Sequence, residues 1–373
     1  MKQKKIAIVQ KLIPHYRIDF FKKICEQSKN QVMVFHSTEI SSDGLAESGE
    51  FVFPNQKIHK FAHRYFFYQC IVKKLLSGKF DLIVMGPELR IFSNTLVWLL
   101  SFFTRSKIVW WTHGFNLHIQ NKGFSFVVDR VFKTLMMKKC HNILLYNDYR
   151  IDELVAWGID PEKMIVLNNA INEKPYQLAL KKVNRECIDR IETATRSSNH
   201  TLLFIGRLTQ SKRADLVIEL AEKLVTSLPD LRVFIIGEGK ERPKLELKTK
   251  KMGLSENIFF LGSINNPDEL SGYMTLTDFS ILPGAVGLSI VHSMICGLPL
   301  VTLQDSPHNP EISYLRDNYN GFAANGLKEM KDWIIEQFEN PSKIREMKEN
   351  CLRMIETDVN LDHMVSQFLK GIE

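Results

Sequence analysis

The chain has 373 residues, of which 45% are hydrophobic and 24% charged, with a formal net charge of +7. This length exceeds what one hydrophobic core ordinarily organises, so two domains are expected, and the composition describes a soluble globular protein. The charge is uneven: residues 1–180 carry 25 Lys and Arg against 15 Asp and Glu, whereas the remainder carries 24 against 27.

The six cysteines (25, 70, 140, 187, 296 and 351) form no C-x-x-C pair. Neither a zinc site nor a disulfide framework is indicated, and reduced thiols in a cytoplasm fit best. The basic N-terminus leads into an apolar run of only residues 6–9, which reads as a first strand rather than a signal peptide. The longest apolar stretch, 95–103, is interrupted by Ser101 and stops at Arg105, too short to span a bilayer.

In chain order, strands are expected over 5–10, 31–36, 81–85, 107–111, 142–146 and 165–167. Helices are expected over 18–26, 64–77, 93–103, 124–138 and 148–157, and a polar, mobile loop over 37–53. In the helix over 124–138, Phe124, Val128, Val131 and Leu135 share one face. Strands separated by helices imply a parallel sheet covered on both sides. Residues 170–200 turn polar and read as an interdomain connection containing one helix.

The alternation then restarts, with strands over 201–205, 232–236 and 258–261, each followed by glycine (Gly206, Gly237 with Gly239, and Gly262). Helices are expected over 214–226, 240–252 and 268–276, and three closing helices over 328–337, 341–355 and 361–372. Two tandem βαβ sheets with a cleft between them follow from this pattern.

Between residues 90 and 147, Arg90, Arg105, Lys107, Lys122, Arg130, Lys133, Lys138 and Lys139 stand against one acid, Asp129, with Phe92, Trp98, Phe102, Phe103, Phe115, Phe124 and Phe126 interleaved. This suits either an anionic partner, such as a membrane surface or a nucleic acid, or a solvated basic face around aromatic core residues.

Residues 278–303 read as strand, glycine-rich turn, helix and strand. The turn, with Gly284 and Gly287, delivers backbone N–H groups to a helix start beyond a strand end, where anions and nucleotides bind in open α/β sheets. An ordinary crossover would look the same. In GRLTQSK, Gly206 ends a strand and Arg207 and Lys212 follow from one turn. Two fixed cations there suit a diphosphate, although exposed loop charges are the common fate of such residues.

The order GRLTQSKRADLVIELAEKL, RVFIIGEG, IFFLGSI and DFSILPGAVGLSIVHSMICGLPLV resembles, over roughly 120 residues, the C-terminal half of retaining glycosyltransferases of family 4. NDYRIDELVAWGIDPEKMIVLNNAI resembles the end of that family's N-terminal domain. The resemblance implies an α/β chain of the GT-B fold, two Rossmann-like domains with parallel sheets facing a cleft. Residues 1–175 would bind the acceptor and 176–355 the nucleotide-sugar, with 356–373 returning to the first domain.

On that resemblance Arg207 and Lys212 fall on the family's diphosphate-binding pair, and His113 where it has a His near the donor sugar. Gly206, Gly237 and Gly239 fall near the nucleotide, and the backbone of Gly262, Ser263 and Ile264 near the base. The family's two glutamates, eight positions apart, are here Gly284 and His292. His292 can still hydrogen-bond a ribose. The sugar contact would then come from backbone amides of Ala285, Val286, Gly287 and Leu288, or from Glu311, although Glu311 reads better as the acidic start of a helix near Pro310. His15, Tyr16 and Arg17 fill the first strand-to-helix loop, as an acceptor wall or, for Arg17, a phosphate contact.

No Asp-x-Asp metal signature is present, and the resemblance implies neither a metal nor a cofactor. The expected function is transfer of a hexosyl or N-acetylhexosaminyl group from a nucleotide-sugar to a saccharide, such as a polyprenyl-diphosphate-linked glycan of bacterial capsule or O-antigen assembly. That activity would sit in the cytoplasm, with peripheral contact to an anionic membrane and no nucleic-acid partner. A sugar-nucleotide epimerase of the same fold and a non-catalytic nucleotide-sugar-binding homologue are the other readings.

Overall fold

The computed structural model describes residues 3–37, 51–62, 67–89, 91–114 and 124–373. Most of the loop expected over 37–53 lies outside these residues, as do Arg90, Phe115 and Lys122. The chain divides into two compact units, 1–172 with 361–373, and 173–360.

In the first unit, strands β1 (Lys5–Gln10), β2 (Gln31–His36), β3 (Asn55–Lys57), β6 (Leu82–Met85), β7 (Lys107–Thr112), β8 (Asn142–Leu145) and β9 (Met164–Val166) form one sheet in the order β3-β2-β1-β6-β7-β8-β9. Every pairing in it is parallel. Between β3 and β6, β4 (Lys60–Ala62) and β5 (Phe67–Gln69) make a separate antiparallel pair. Helices α1 (Ile18–Gln27), α2 (Val72–Ser77), α3 (Phe92–Ser101), α4 (Phe124–Lys138) and α5 (Ile151–Ala156) supply the connections. β1, β6 and β8 are almost wholly buried, as their apolar runs require in a sheet covered on both faces.

The helix expected over 64–77 is corrected: among its described residues only Val72–Ser77 is helical and Phe67–Gln69 is a strand. The apolar spacing of this stretch imitates a helix. Gln69 instead turns inward, its amide donating to the Gln10 carbonyl at 3.0 Å and to Ser37 Oγ at 2.8 Å. That polar anchor fixes the strand where periodicity alone points to a helix.

The second unit opens with α6 (Lys174–Lys182) and α7 (Arg185–Thr195), two helices where one was expected. Its strands β10 (Thr201–Ile205), β11 (Arg232–Ile236), β12 (Ile258–Gly262), β13 (Phe279–Leu282), β14 (Leu300–Leu303) and β15 (Gly321–Ala324) form a parallel sheet in the order β12-β11-β10-β13-β14-β15. Helices α8 (Ala214–Leu224), α9 (Arg242–Lys251), α10 (Pro267–Thr275), α11 (Ser289–Ile295), α12 (Leu327–Phe338) and α13 (Pro341–Thr357) surround it. The last helix, α14 (Leu361–Ile372), packs in the first unit against α1, β8 and β9. Its Phe368 meets Phe20 and Trp111 edge-on at 5.2 and 5.3 Å.

Both sheets reverse their winding direction once, between β1 and β6 and between β10 and β13. At such a point adjacent strand-to-helix loops diverge and leave a crevice at the carboxyl ends of the strands. In the second unit the reversal brings together the loops that carry Arg207, Lys212 and Gly284. In the first unit, the loop with His15, Tyr16 and Arg17 follows β1 at its reversal, and His113 follows the nearby β7.

Candidate functional site

In the second unit the loops after β10, β11 and β12 are stitched together by main chain. Gly237 N–H donates to the Gly262 carbonyl at 2.8 Å, and Leu208 N–H to the Glu238 carbonyl at 2.8 Å. Gly237 has φ +145°, and a Cβ there would stand 1.9 Å from the Gly206 carbonyl oxygen. Gly239 has φ +159°, and its Cβ would stand 2.2 Å from the Leu208 oxygen. Only glycine permits both the conformation and the approach. Ser263 is exposed, whereas the Ile264 side chain belongs to the apolar core, leaving the main chain as its ligand-facing part.

Arg207 is exposed and Lys212 is half-buried in a short 3-10 turn, Gln210–Lys212. Lys212 Nζ donates to the Ala285 carbonyl at 2.5 Å, joining this turn to the one after β13. Ala285 N–H returns a bond to the Ser211 carbonyl at 2.9 Å. Burial lowers the Lys212 pKa, nearby Arg207 lowers it further, and Glu311 opposes both. Arg207 and Glu311 thus both act electrostatically on Lys212.

Gly284 lies against Ser211 and Lys212. A Cβ there would stand 2.3 Å from the Ser211 oxygen and 2.4 Å from the Lys212 carbonyl carbon. The position where the resembling family carries a glutamate therefore has no room for any side chain. Of the amides expected to face a sugar, Ala285 N–H is taken by Ser211, and Val286 N–H donates to His308 Nδ1 at 3.2 Å. That leaves Gly287 and Leu288 as the amides at the start of α11, a helix of only seven residues.

His308 was not anticipated from sequence. Its Nδ1 accepts from Val286, so its Nε2 carries the proton and donates to the Leu303 carbonyl at 2.7 Å. Asn309 N–H donates to the Val286 carbonyl at 2.8 Å, and Ser306 Oγ to the Pro283 carbonyl at 2.5 Å. The loop after β14 thus grips the 283–286 turn as Lys212 does. The H-N-P motif before Glu311 was the sequence signal available for this.

Glu311 is 4% exposed and occupies the first turn of the 3-10 helix Pro310–Tyr314, electrostatically coupled to Lys212. Glu311 thus stands in the acidic first turn that the helix-start reading gives it. His292 is half-buried on α11, its ring edge-on to Tyr176 at 5.3 Å. A cavity of about 360 Å³ adjoins the 209–215 turn, lined among others by Thr209, Arg213, Asp215 and Lys248.

In the first unit His113 is exposed after β7, its ring stacked on Tyr146 at 3.9 Å, and Tyr146 in turn stacks on Trp111 at 5.4 Å. Trp110 points away, its Nε1 donating to the Met136 carbonyl at 3.0 Å. His15 is exposed and Tyr16 half-buried. Arg17 departs from the expected phosphate contact. It is 5% exposed, donates to Asn169 Oδ1 and Met364 Sδ, and lies within 5.7 Å of the Tyr16, Phe20, Trp111 and Tyr146 ring centres. A guanidinium enclosed by rings and an amide is an internal tie, not a ligand arm.

Among the described residues no group of three or more His, Cys, Asp or Glu side chains could hold a metal, and no helix is long and apolar enough to cross a membrane.

Residues 188–354 match the family model for glycosyl transferases group 1. The poly(ribitol-phosphate) alpha-N-acetylglucosaminyltransferase of Staphylococcus aureus is 28% identical over 171 residues, 44% of this chain and 34% of that one. The N-acetylgalactosamine-N,N'-diacetylbacillosaminyl-diphospho-undecaprenol 4-alpha-N-acetylgalactosaminyltransferase of Campylobacter jejuni is 27% identical over 184 residues, 48% of this chain and 46% of that one. The chain thus spans about half or less of the length of these relatives. Among solved structures, Anabaena Alr3699/HepE in complex with UDP superposes with a TM-score of 0.73 at 14% identity, covering 99% of both chains. The two parallel sheets and this likeness establish the GT-B fold, and residues 188–354 carry the similarity to glycosyl transferases group 1.

Proposed function

We propose that the protein is a retaining glycosyltransferase that moves a hexosyl or N-acetylhexosaminyl group from a nucleotide-sugar to a saccharide acceptor, in the class of lipid-linked glycans used for bacterial surface polysaccharide. The observation that carries this is the joined pair of turns at the β10/β13 reversal. There Lys212 ties the two turns together, and exposed Arg207 adds the second cation. In this reading both hold the donor diphosphate and offset the charge that develops as the glycosidic C–O bond breaks. The acceptor hydroxyl attacks from the face the nucleotide leaves, and its proton passes to the departing phosphate oxygen. One C–O bond forms, one breaks, and no further reagent is consumed.

The remaining site residues take supporting roles. The main chain at Gly237, Gly239 and 262–264 frames the nucleoside, His292 its ribose, and Gly287 and Leu288 the sugar. His113, held by Tyr146 with its ring exposed, is assigned to the transferring sugar, and His15 and Tyr16 to the acceptor. No metal or cofactor is invoked, because Arg207 and Lys212 supply the positive charge. The setting is the cytoplasmic face of a membrane, contacted peripherally. The absence of room for a carboxylate at Gly284 gives the non-catalytic reading its one specific support.

The test is a donor screen. Purified protein is incubated with UDP-, GDP-, dTDP- and ADP-sugars, with and without a lipid-linked glycan extract, and products are read by mass spectrometry. Nucleotide release with sugar transfer, lost in Arg207→Ala, supports the proposal. Isomerised sugar without acceptor points to an epimerase, and binding without turnover to a non-catalytic homologue.

A further inference from the structure

Residues 283–288 carry no polar side chain, and Gly284 has no room for one. Of the amides in this turn, those of Ala285 and Val286 are already bonded inside the protein. The Gly287 and Leu288 N–H groups can only donate, whereas each hydroxyl of a sugar ring both donates and accepts. A hydrogen-bond acceptor for those hydroxyls has to come from another loop.

The loop after β14 reaches the turn. Ser306, His308 and the Asn309 N–H bond to it at Pro283 and Val286, and the Asn309 carbonyl is fixed in turn by the Ile312 N–H at 3.1 Å. The backbone of Asn309 is therefore held on both sides. Its side chain is not used in the ordinary way. Asn309 stands at the N-cap of the 3-10 helix Pro310–Tyr314 on extended backbone, with φ −79° and ψ 166°. There an asparagine normally turns its side chain back onto the first N–H groups of the helix, but Asn309 makes no such bond.

The amide lies over Gly287 instead. A Cβ on Gly287 would stand 2.8 Å from Asn309 Nδ2. Gly287 does not have a positive φ, so its conformation does not call for glycine, whereas the approach of the Asn309 amide does. Asn309 is exposed, which places this amide at the solvent border beside the start of α11 and not in the core. A side chain that forgoes its cap and rests on an anchored backbone is already positioned for a ligand.

The chemistry of the amide selects that ligand. Arg207, Lys212 and Glu311 supply the charge of this site. Asn309 is neutral and presents a donor and an acceptor side by side. That pair suits two neighbouring hydroxyls, and it does not suit a phosphate, whose oxygens only accept.

We propose that Asn309 is a sugar-recognition residue, its side-chain amide binding adjacent ring hydroxyls of the transferred sugar, with Oδ1 accepting from one and Nδ2 donating to the other. This rests on the reading of the β10/β13 turns as a donor site and adds a substrate-contacting side chain where Gly284 supplies none.

The test compares nucleotide-sugars with their own nucleoside diphosphates by titration calorimetry of the full chain. The probes are UDP-glucose, UDP-N-acetylglucosamine, GDP-mannose, dTDP-glucose and ADP-glucose, against UDP, GDP, dTDP and ADP. Asn309→Ala should weaken the nucleotide-sugar that the wild type binds by about tenfold and leave the matching diphosphate within about twofold. Arg207→Ala should weaken both. The thermal midpoint of Asn309→Ala should match the wild type, because the side chain makes no cap bond to lose. Asn309→Ser, shorter and able to cap the helix itself, should show the same selective loss with a midpoint no lower than the wild type. Equal weakening of nucleotide-sugar and diphosphate, or unchanged affinity for both, overturns the proposal while leaving the donor site in place. If the wild type binds none of the probes, the donor-site reading fails and the assignment of Asn309 fails with it.

Discussion

His308 Nδ1 accepts the Val286 N–H at 3.2 Å and thereby fixes the tautomer of a histidine that holds the turn after β13 to the loop after β14. The pairing requires neutral imidazole, because a protonated Nδ1 would confront the Val286 N–H with a second donor. Burial lowers the His308 pKa below its ordinary value of 6.5 and Lys212 lowers it further, against the raising effect of the Leu303 bond. A base whose pKa is depressed on folding contributes stability that is complete above its unfolded value and lost as pH falls from there through the folded value. Thermal midpoints measured from pH 7.5 down should therefore fall more steeply below about pH 6.5 in the wild type than in His308→Ala. His308→Ala should itself lose about 1 kcal/mol at neutral pH. Parallel pH profiles for the two proteins would remove His308 from this role.

Gly284→Ala tests the contact with Ser211 and Lys212. A Cβ 2.3 Å from a carbonyl oxygen forces the two turns apart. The expected cost is about 1–3 kcal/mol of stability, with a larger proportional loss of nucleotide affinity. Calorimetric unfolding and titration with the nucleotide that the donor screen identifies measure both. Gly284→Glu, although it restores the residue type of the resembling family, should be worse than Gly284→Ala on both counts.

Arg207→Ala and Lys212→Ala should separate binding from scaffolding. Exposed Arg207 can be truncated with little change in thermal midpoint, while turnover falls about ten- to a hundred-fold for each charge-assisted bond of about 1.5–3 kcal/mol that is lost. Lys212→Ala removes a ligand cation and also the bond to the Ala285 carbonyl, so its midpoint should drop as well. Equal midpoints for the two variants would contradict this division.

Arg17→Ala should behave as a core lesion. It removes a buried guanidinium from four aromatic rings and leaves Asn169 Oδ1 without that donor. About 1–3 kcal/mol of stability should be lost, read by denaturant unfolding, with affinity for the nucleotide that the donor screen identifies unchanged. A selective loss of that affinity without loss of stability would return Arg17 to the ligand site.

The sequence conveyed much of the second unit well because β10 and β11 are almost wholly buried, and they and the half-buried edge strand β12 are each closed by glycine. Its runs 201–205, 232–236 and 258–261 admit little but parallel strands. Short pieces were less legible: β4, β5 and β15 have three or four residues each, too few for a period to show. On α4, spacing put Phe124, Val128, Val131 and Leu135 on one face; the Phe124 side chain lies outside the described residues, and periodicity carries no sign, so only the exposure of the other three shows that this stripe faces outward. At the candidate site the two cations and the glycines stood out as residue types at strand ends. The bonds made by His308 and the crowding at Gly284 depend on loops brought together by the sheet order, which no local pattern encodes.

The return of α14 to the first unit has a consequence for the order in which the chain folds. Arg17 and Met364 meet across 347 residues, with the whole second unit threaded between them. Closing so long a loop costs conformational entropy that grows only slowly with length, yet the contact is among the last a growing chain can make. The second unit is continuous in sequence and can condense as soon as it is complete. The first must wait with Phe20 and Trp111 uncovered until Phe368 arrives. During that interval the half of the molecule that begins first is the half most open to aggregation.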